Sequence, residues 1–307
     1  MPDLEYATSL FLHEMDSLES FSVPKLTSIG WASIHIPSDI DLLEMSALEE
    51  SGTLSLVGHF TDVSFPALHT VAAGDVVILN SSPADKTETR MNISFPALNS
   101  SDSIYISGRT SHVSLPELTR LASPWMQGSG TNFSLWGETI DFDLPKLHTV
   151  DGSIYFEGNM TSLSLPSLDR VDQNLTITAG NPLSIDIPEL RYAEVIHLTG
   201  KIKSVELPAL IEYSDLHVDT DLELDCNAFM GEFDTAPGQK NVTCVSRGAV
   251  EDSDATDETT EESTTQDDER GDEETGNDNG SASLHVRGVG AMVAISILFV
   301  GLGGLWN

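Results

Sequence analysis

Gly108-Arg-Thr-Ser-His-Val-Ser-Leu-Pro116-Glu-Leu118 is one copy of a stretch that recurs along the chain. Near copies run Gly58…Pro66-Ala-Leu68, Gly137…Pro145-Lys-Leu147, Gly158…Pro166-Ser-Leu168, Gly180…Pro188-Glu-Leu190 and Gly200…Pro208-Ala-Leu210, each with its glycine eight residues before the proline. A fixed internal period is the mark of a repeat architecture, in which a unit buries its apolar residues only against its neighbours. Pro24 and Pro96 mark two further units, and a copy without proline, Met45-Ser-Ala-Leu48, fills the gap before Pro66. Successive units lie 20–22 residues apart except for two intervals of 30 and 29. Those hold insertions, Ser81–Arg90 and Ser123–Gly130, which a repeat protein places in surface loops.

Within a unit two segments alternate with period two. Ahead of the glycine stand Ile104-Tyr-Ile106, Phe133-Ser-Leu135, Ile154-Tyr-Phe156, Leu175-Thr-Ile177, Ile196-His-Leu198 and Leu216-His-Val218. Ahead of the proline stand Val63-Ser-Phe65, Val113-Ser-Leu115, Phe142-Asp-Leu144, Ile185-Asp-Ile187 and Val205-Glu-Leu207. Apolar, polar, apolar is the pattern of a half-buried strand, and no comparable helical period appears. Each unit is therefore expected to be two short strands joined at a glycine, which accepts positive φ, and ended by a proline, which lacks an amide donor. Twenty residues cannot hold a strand, a crossover helix and a second strand, so coils stack like on like. The expected fold is all-β: a right-handed parallel β-solenoid of about nine coils, a rod of roughly 43 Å. The leucine-rich repeat is the near alternative, but its LxxLxLxxN pattern with an inward Asn is missing.

The formal net charge is −35, and residues 251–278 hold fourteen Asp/Glu against Arg270 alone. Residues 1–250 still carry −23, with a dozen Lys/Arg. A surface this acidic disfavours nucleic acid and anionic membrane surfaces as partners. Sequons occur at Asn80, Asn92, Asn99, Asn132, Asn159, Asn174, Asn241 and Asn279, and so many on one repeat domain point to a secretory history with N-glycosylation. The first residues carry no basic n-region or apolar stretch. The chain is expected to begin inside the solenoid, with the signal peptide and N-terminal cap missing.

Residues 249–280 are acidic, rich in Ser and Thr and nearly free of apolar side chains. Such a segment cannot bury enough surface to fold and is expected to be a disordered stalk. Residues 281–307 end in the uncharged run Gly288 to Trp306, with only Asn307 after it. At about 28 Å as a helix it is long enough to cross a bilayer. Because no cytoplasmic Lys/Arg follows and small residues precede it, the segment is expected to be a removed GPI-attachment signal. Asn279 is the favoured attachment residue, with Gly280 and Ser281 as alternates; a single-pass tail anchor is the other reading.

The repeat, the sequons, the late pair Cys226 and Cys244 and the tail together resemble the fungal GPI-anchored cell-wall organisation proteins. These are the relatives of yeast sporulation-specific and extracellular-mutant wall proteins, whose repeats are similar to the receptor L domain of insulin- and EGF-receptor ectodomains. The resemblance covers roughly Phe21 to Asn307. It implies a solenoid over 1–225 and a cap over 226–248 closed by a Cys226–Cys244 disulfide. Closing such a loop contributes about 3 kcal/mol on the chain-entropy account. From the residues alone, a metal pair or two free thiols stay open. It also implies a role in wall organisation at the outer face of the plasma membrane or in the wall. The partners would be wall polysaccharide or wall and membrane proteins, with a lipid bilayer reached through the anchor.

No GxSxG, HExxH, P-loop or dinucleotide glycine motif is present, so neither an enzyme nor a cofactor or metal is expected. A β-helical polysaccharide enzyme would line one face with acidic and basic groups, and Lys/Arg are scarce and scattered. The expected binding surface is an outward column, Ser55, Tyr105, Ser134, Tyr155, Thr176, His197 and His217, flanked by Ser107, Trp136, Glu157, Thr178 and Thr199. Tyr105, Trp136, Tyr155, His197 and His217 are its candidate contact residues. Aromatic rings among small hydroxyl side chains on a flat sheet suit a glycan or a protein partner, although strand propensity alone also places them there.

Overall fold

Strands Tyr6–His13, Ser28–Ile40, Glu50–Phe60, Thr70–Asn80, Ser100–Ser114, Gly130–Asp143, Ser153–Ser164, Arg170–Asp186, Tyr192–Glu206, Asp215–Thr220 and Asn241–Ser246 stack in chain order, each parallel to the next. This computed structural model describes residues 3–15, 18–40, 42–80, 90–122, 130–233 and 240–248. The expected stalk (249–280), the expected anchor signal with Asn279, Gly280 and Ser281, and most of both insertions lie outside the described residues. The expected β-solenoid of about nine coils is what the chain forms.

One inward position runs through every strand: Leu12, Ile34, Leu56, Ile78, Ile106, Phe133, Phe156, Ile177, Leu198, Val218 and Cys244. All but the first and last are buried, because each is covered by the coil on either side. The core is thus a set of ladders of like residues, each worth about 1.5–3 kcal/mol when fully buried. In the middle of the rod Phe133, Phe142 and Phe156 pack face-to-face and edge-to-face with ring centroids 5.2–5.3 Å apart.

The Pro-x-Leu element is a β-turn. Amides of Leu26, Leu48, Leu68, Leu98, Leu118, Leu147, Leu168, Leu190 and Leu210 each donate to the carbonyl three residues back, giving nine equivalent turns. Proline, where present, takes the second position, whose φ it pre-sets. Past each turn the chain pairs again with the neighbouring coils, along Ser51, Val71, Ser101, Leu121, Val150, Val171 and Ala193. A coil therefore has three hydrogen-bonded sides where two strands were expected. The third side exists because backbone packed between coils must satisfy its N–H and C=O groups there too.

The glycine corner also differs from expectation. Its column reads Ile36, Gly58, Asn80, Gly108, Leu135, Gly158, Ala179, Gly200, Thr220, so glycine occupies every second coil. The four glycines hold φ of +155°, +126°, +147° and +91°. A Cβ on Gly158 or Gly200 would stand 2.1 or 2.3 Å from the carbonyl oxygen of the preceding coil. Gly137 and Gly180 are off this column; register shifts after Leu135 and after Ala179 carry them past the corner. Equal spacing to the proline thus hides two different geometries.

After Thr220 the chain leaves the stack for the helix Cys226–Phe233 and returns as Asn241–Ser246. Asp225 caps the helix, its Oδ1 accepting from the amides of Asn227 and Ala228 at 3.1 and 3.0 Å. Phe229 is buried under it, 5.1 Å from the Phe233 ring. A disulfide joins Cys226 to Cys244, with Cα atoms 5.5 Å apart, so the last residue of the inward ladder is tied to the capping helix.

Candidate functional site

The long face presents two outward columns set by this register. The first is Phe11, Ser33, Ser55, Val77, Tyr105, Asn132, Tyr155, Thr176, His197, His217, Thr243. The second is His13, His35, Val57, Leu79, Ser107, Ser134, Glu157, Thr178, Thr199, Asp219, Val245. Two expected members change place. Asn132, not Ser134, stands between Tyr105 and Tyr155, and Ser134 moves to the second column. Trp136 aligns with Arg109 and is no column neighbour of either tyrosine. The expected alignment was two residues out because Thr131, a polar residue in an inward position, broke the apolar pattern ahead of Phe133.

Tyr105 and Tyr155 are two coils apart, about 9.6 Å. Both are half-buried. Burial, then the charge of Asp75, pushes the Tyr105 phenol above its ordinary range, so it stays a neutral hydroxyl at any physiological pH. Asn174 Nδ2 donates to Tyr155 Oη at 3.4 Å. Farther along, His197 and His217 meet edge-to-face at 5.6 Å, as their adjacent coils require. His217 Nδ1 lies 2.6 Å from Thr243 Oγ1, and His197 Nε2 lies 3.7 Å from Asp215. Among the described residues no group of three or more His, Cys, Asp or Glu converges on a point where a metal would sit. The imidazoles form a ladder engaged with its neighbours.

The face also carries residues that the expected column omitted. Phe11 and Trp31 are exposed, and with His13 and His35 they form a continuous run of rings at the N-terminal coils. The signal was present: Leu10-Phe-Leu12 has the same apolar-aromatic-apolar form as Ile104-Tyr-Ile106.

The sequons separate by burial. Asn92, Asn99, Asn132 and Asn241 are exposed, and Asn159 and Asn174 are half-buried. Asn80 is different: it is 7% exposed at the corner column, its Nδ2 donates to the Arg109 carbonyl at 3.3 Å, and its Oδ1 is buried without a partner. A glycan on that amide would displace the hydrogen bond to Arg109. On the short third side a concavity of about 290 Å³ is lined by Ser100, Ser101, Asp102, Arg120 and Asp151. Its one arginine is paired with Asp151, and burial, then Asp75, raises the Asp102 carboxyl. No family model, curated protein or solved structure matches the chain.

Proposed function

We propose that the chain is a non-enzymatic, GPI-anchored glycoprotein of a fungal cell surface that contributes to cell-wall organisation. The observation that carries this reading is the long face itself: two columns of aromatic, imidazole and hydroxyl side chains in register along the solenoid, with ionic groups paired locally rather than gathered into a reactive cluster. Such a surface suits extended contact with a polymer or a protein partner more than turnover of a small substrate. The acidic stalk and apolar tail of the sequence supply spacing and attachment. A receptor-type ectodomain that binds a ligand or glycan is the second reading, favoured by the half-buried tyrosines flanking Asn132. Digesting membranes from cells expressing the full chain with phosphatidylinositol-specific phospholipase C tests the first. Release into the soluble fraction, with hypersensitivity of deletion cells to wall-binding dyes, is expected. Retention in the membrane fraction and normal dye resistance would overturn it.

A further inference from the structure

The first three coils combine three features on the long face. First, their aromatic rings are exposed and contiguous: Phe11 and Trp31 are 57% and 53% exposed with centroids 6.3 Å apart. Phe11 lies 6.1 Å from His13, His13 lies 6.1 Å from His35, and His13 Nε2 is 2.9 Å from Ser33 Oγ. Second, the face is uncharged there. Residues 9–13, 31–35 and 53–57 include no Asp, Glu, Lys or Arg, on a body that carries −23 over residues 1–250. Glu14 follows only at the corner, in a left-handed conformation with φ +53°. Third, no asparagine occurs before Asn80, whereas the sequons Asn132, Asn174 and Asn241 stand on this same face farther along.

We propose that this aromatic run is the docking site for a neutral polysaccharide, its pyranose rings lying on Phe11 and Trp31. The proposal rests on the wall-protein reading and names where on the rod its ligand sits. An aromatic face attracts the C–H-rich side of a sugar ring, and His13, His35 and Ser33 beside it offer both donors and acceptors to hydroxyl groups. An anionic polymer would be repelled by the acidic body, and a cationic one would be drawn to carboxylates elsewhere rather than to a stretch without them. Two adjacent strands about 4.8 Å apart offer far less than the ~800 Å² that each side of a standard protein–protein interface buries. A sugar chain needs no such area. The missing asparagines fit the same purpose, since a glycan on this stretch would cover the rings.

The test uses the glycosylated full chain and soluble hexasaccharides of β-1,3-glucan, chitin and α-mannan, with an oligogalacturonate as the anionic control. At least one neutral probe is expected to bind and to shift Trp fluorescence. Replacing Phe11→Ser together with Trp31→Ser is expected to weaken that binding by at least about tenfold, the sum of two ring contacts. Tyr105→Ser with Tyr155→Ser, or enzymatic removal of N-glycans, is expected to change it by less than about twofold. Both aromatic residues are exposed, so an unchanged far-UV spectrum is expected and serves as the folding control. Undiminished binding by the Phe11/Trp31 variant overturns the site. If the tyrosine pair abolishes binding instead, the site is wrong while a glycan-binding rod stands. If no neutral probe binds the unaltered chain, the docking proposal falls, and the wall-protein reading is decided by the phospholipase release alone.

Discussion

Replacing Gly158 by alanine asks whether the corner column holds the coils together. Gly158 sits at φ +147°, and an added Cβ would lie 2.1 Å from the Leu135 carbonyl oxygen and 3.2 Å from Ile140 Cδ1. The side-chain methyl of Ile140 can rotate away; the carbonyl belongs to the preceding coil's backbone and cannot. Holding a non-glycine residue in this region costs about 1–3 kcal/mol. Displacing the carbonyl weakens ladder hydrogen bonds at about 1 kcal/mol each. A total of about 2–4 kcal/mol follows, which for a body of this size lowers Tm by roughly 4–16 °C. Gly231→Ala is the matched control. Gly231 lies in the capping helix with nothing within 4 Å of its added Cβ, so alanine there should gain about 0.5–1 kcal/mol. Thermal unfolding of the full chain followed by far-UV circular dichroism reads both. An unchanged Tm for Gly158→Ala beside a raised Tm for Gly231→Ala would refute the close-approach reasoning.

Two further outcomes are expected. Phe156→Ala, which removes a fully buried ring from the three-phenylalanine cluster, should cost about 3–5 kcal/mol. Because coils contact only their neighbours, hydrogen exchange should rise in Gly130–Asp143 and Arg170–Asp186 well before it rises in Asp215–Thr220; uniform loss of protection would contradict this. Asp141 is held below the ordinary carboxylate range by the Thr161 hydroxyl at 2.6 Å and the Ser162 hydroxyl at 2.9 Å. A depressed folded pKa stabilises above the unfolded value of about 3.9 and stops doing so as pH falls through the folded one. Asp141→Asn should therefore lower Tm at pH 7, by only about 1–3 °C because the group is exposed and screened, and the difference should close in strong acid. A gap that persists at low pH would show that the carboxylate charge is not the cause.

The stacking period and the inside-outside sense of nearly every strand were legible in the sequence. Leu175-Thr-Ile177 and Ile196-His-Leu198 pair as written, and His197 meets His217 as expected. What could not be read was register at positions where side-chain alternation is silent. A slip of two residues keeps every side chain on its own face, so aligning Ser134 with Tyr105 leaves the apolar pattern intact while moving a whole column. Gly137 and Gly180 led the alignment astray for a related reason, since their distance to the proline is conserved while a bulge lies between. The third side was missed because its short pairings, such as Arg120–Ala122 with Thr149–Asp151, are too brief to show a period. The buried state of Asn80 was not legible either, because it follows from the neighbouring coil's glycine rather than from its own sequence.

The glycine column gives the rod a parity. Between Ile36 and Thr220 each residue with a side chain, Asn80, Leu135 and Ala179, faces a glycine above and below, so the structural period is two coils although the sequence period is one. Removing a single coil by in-frame deletion would bring two bulky corners, or two glycines, into register at the junction. Removing an adjacent pair would restore the alternation. Shortening, lengthening or recombining this rod is therefore constrained to even steps, and chimeras joined out of phase should fail at the junction even when every turn and every apolar position is preserved.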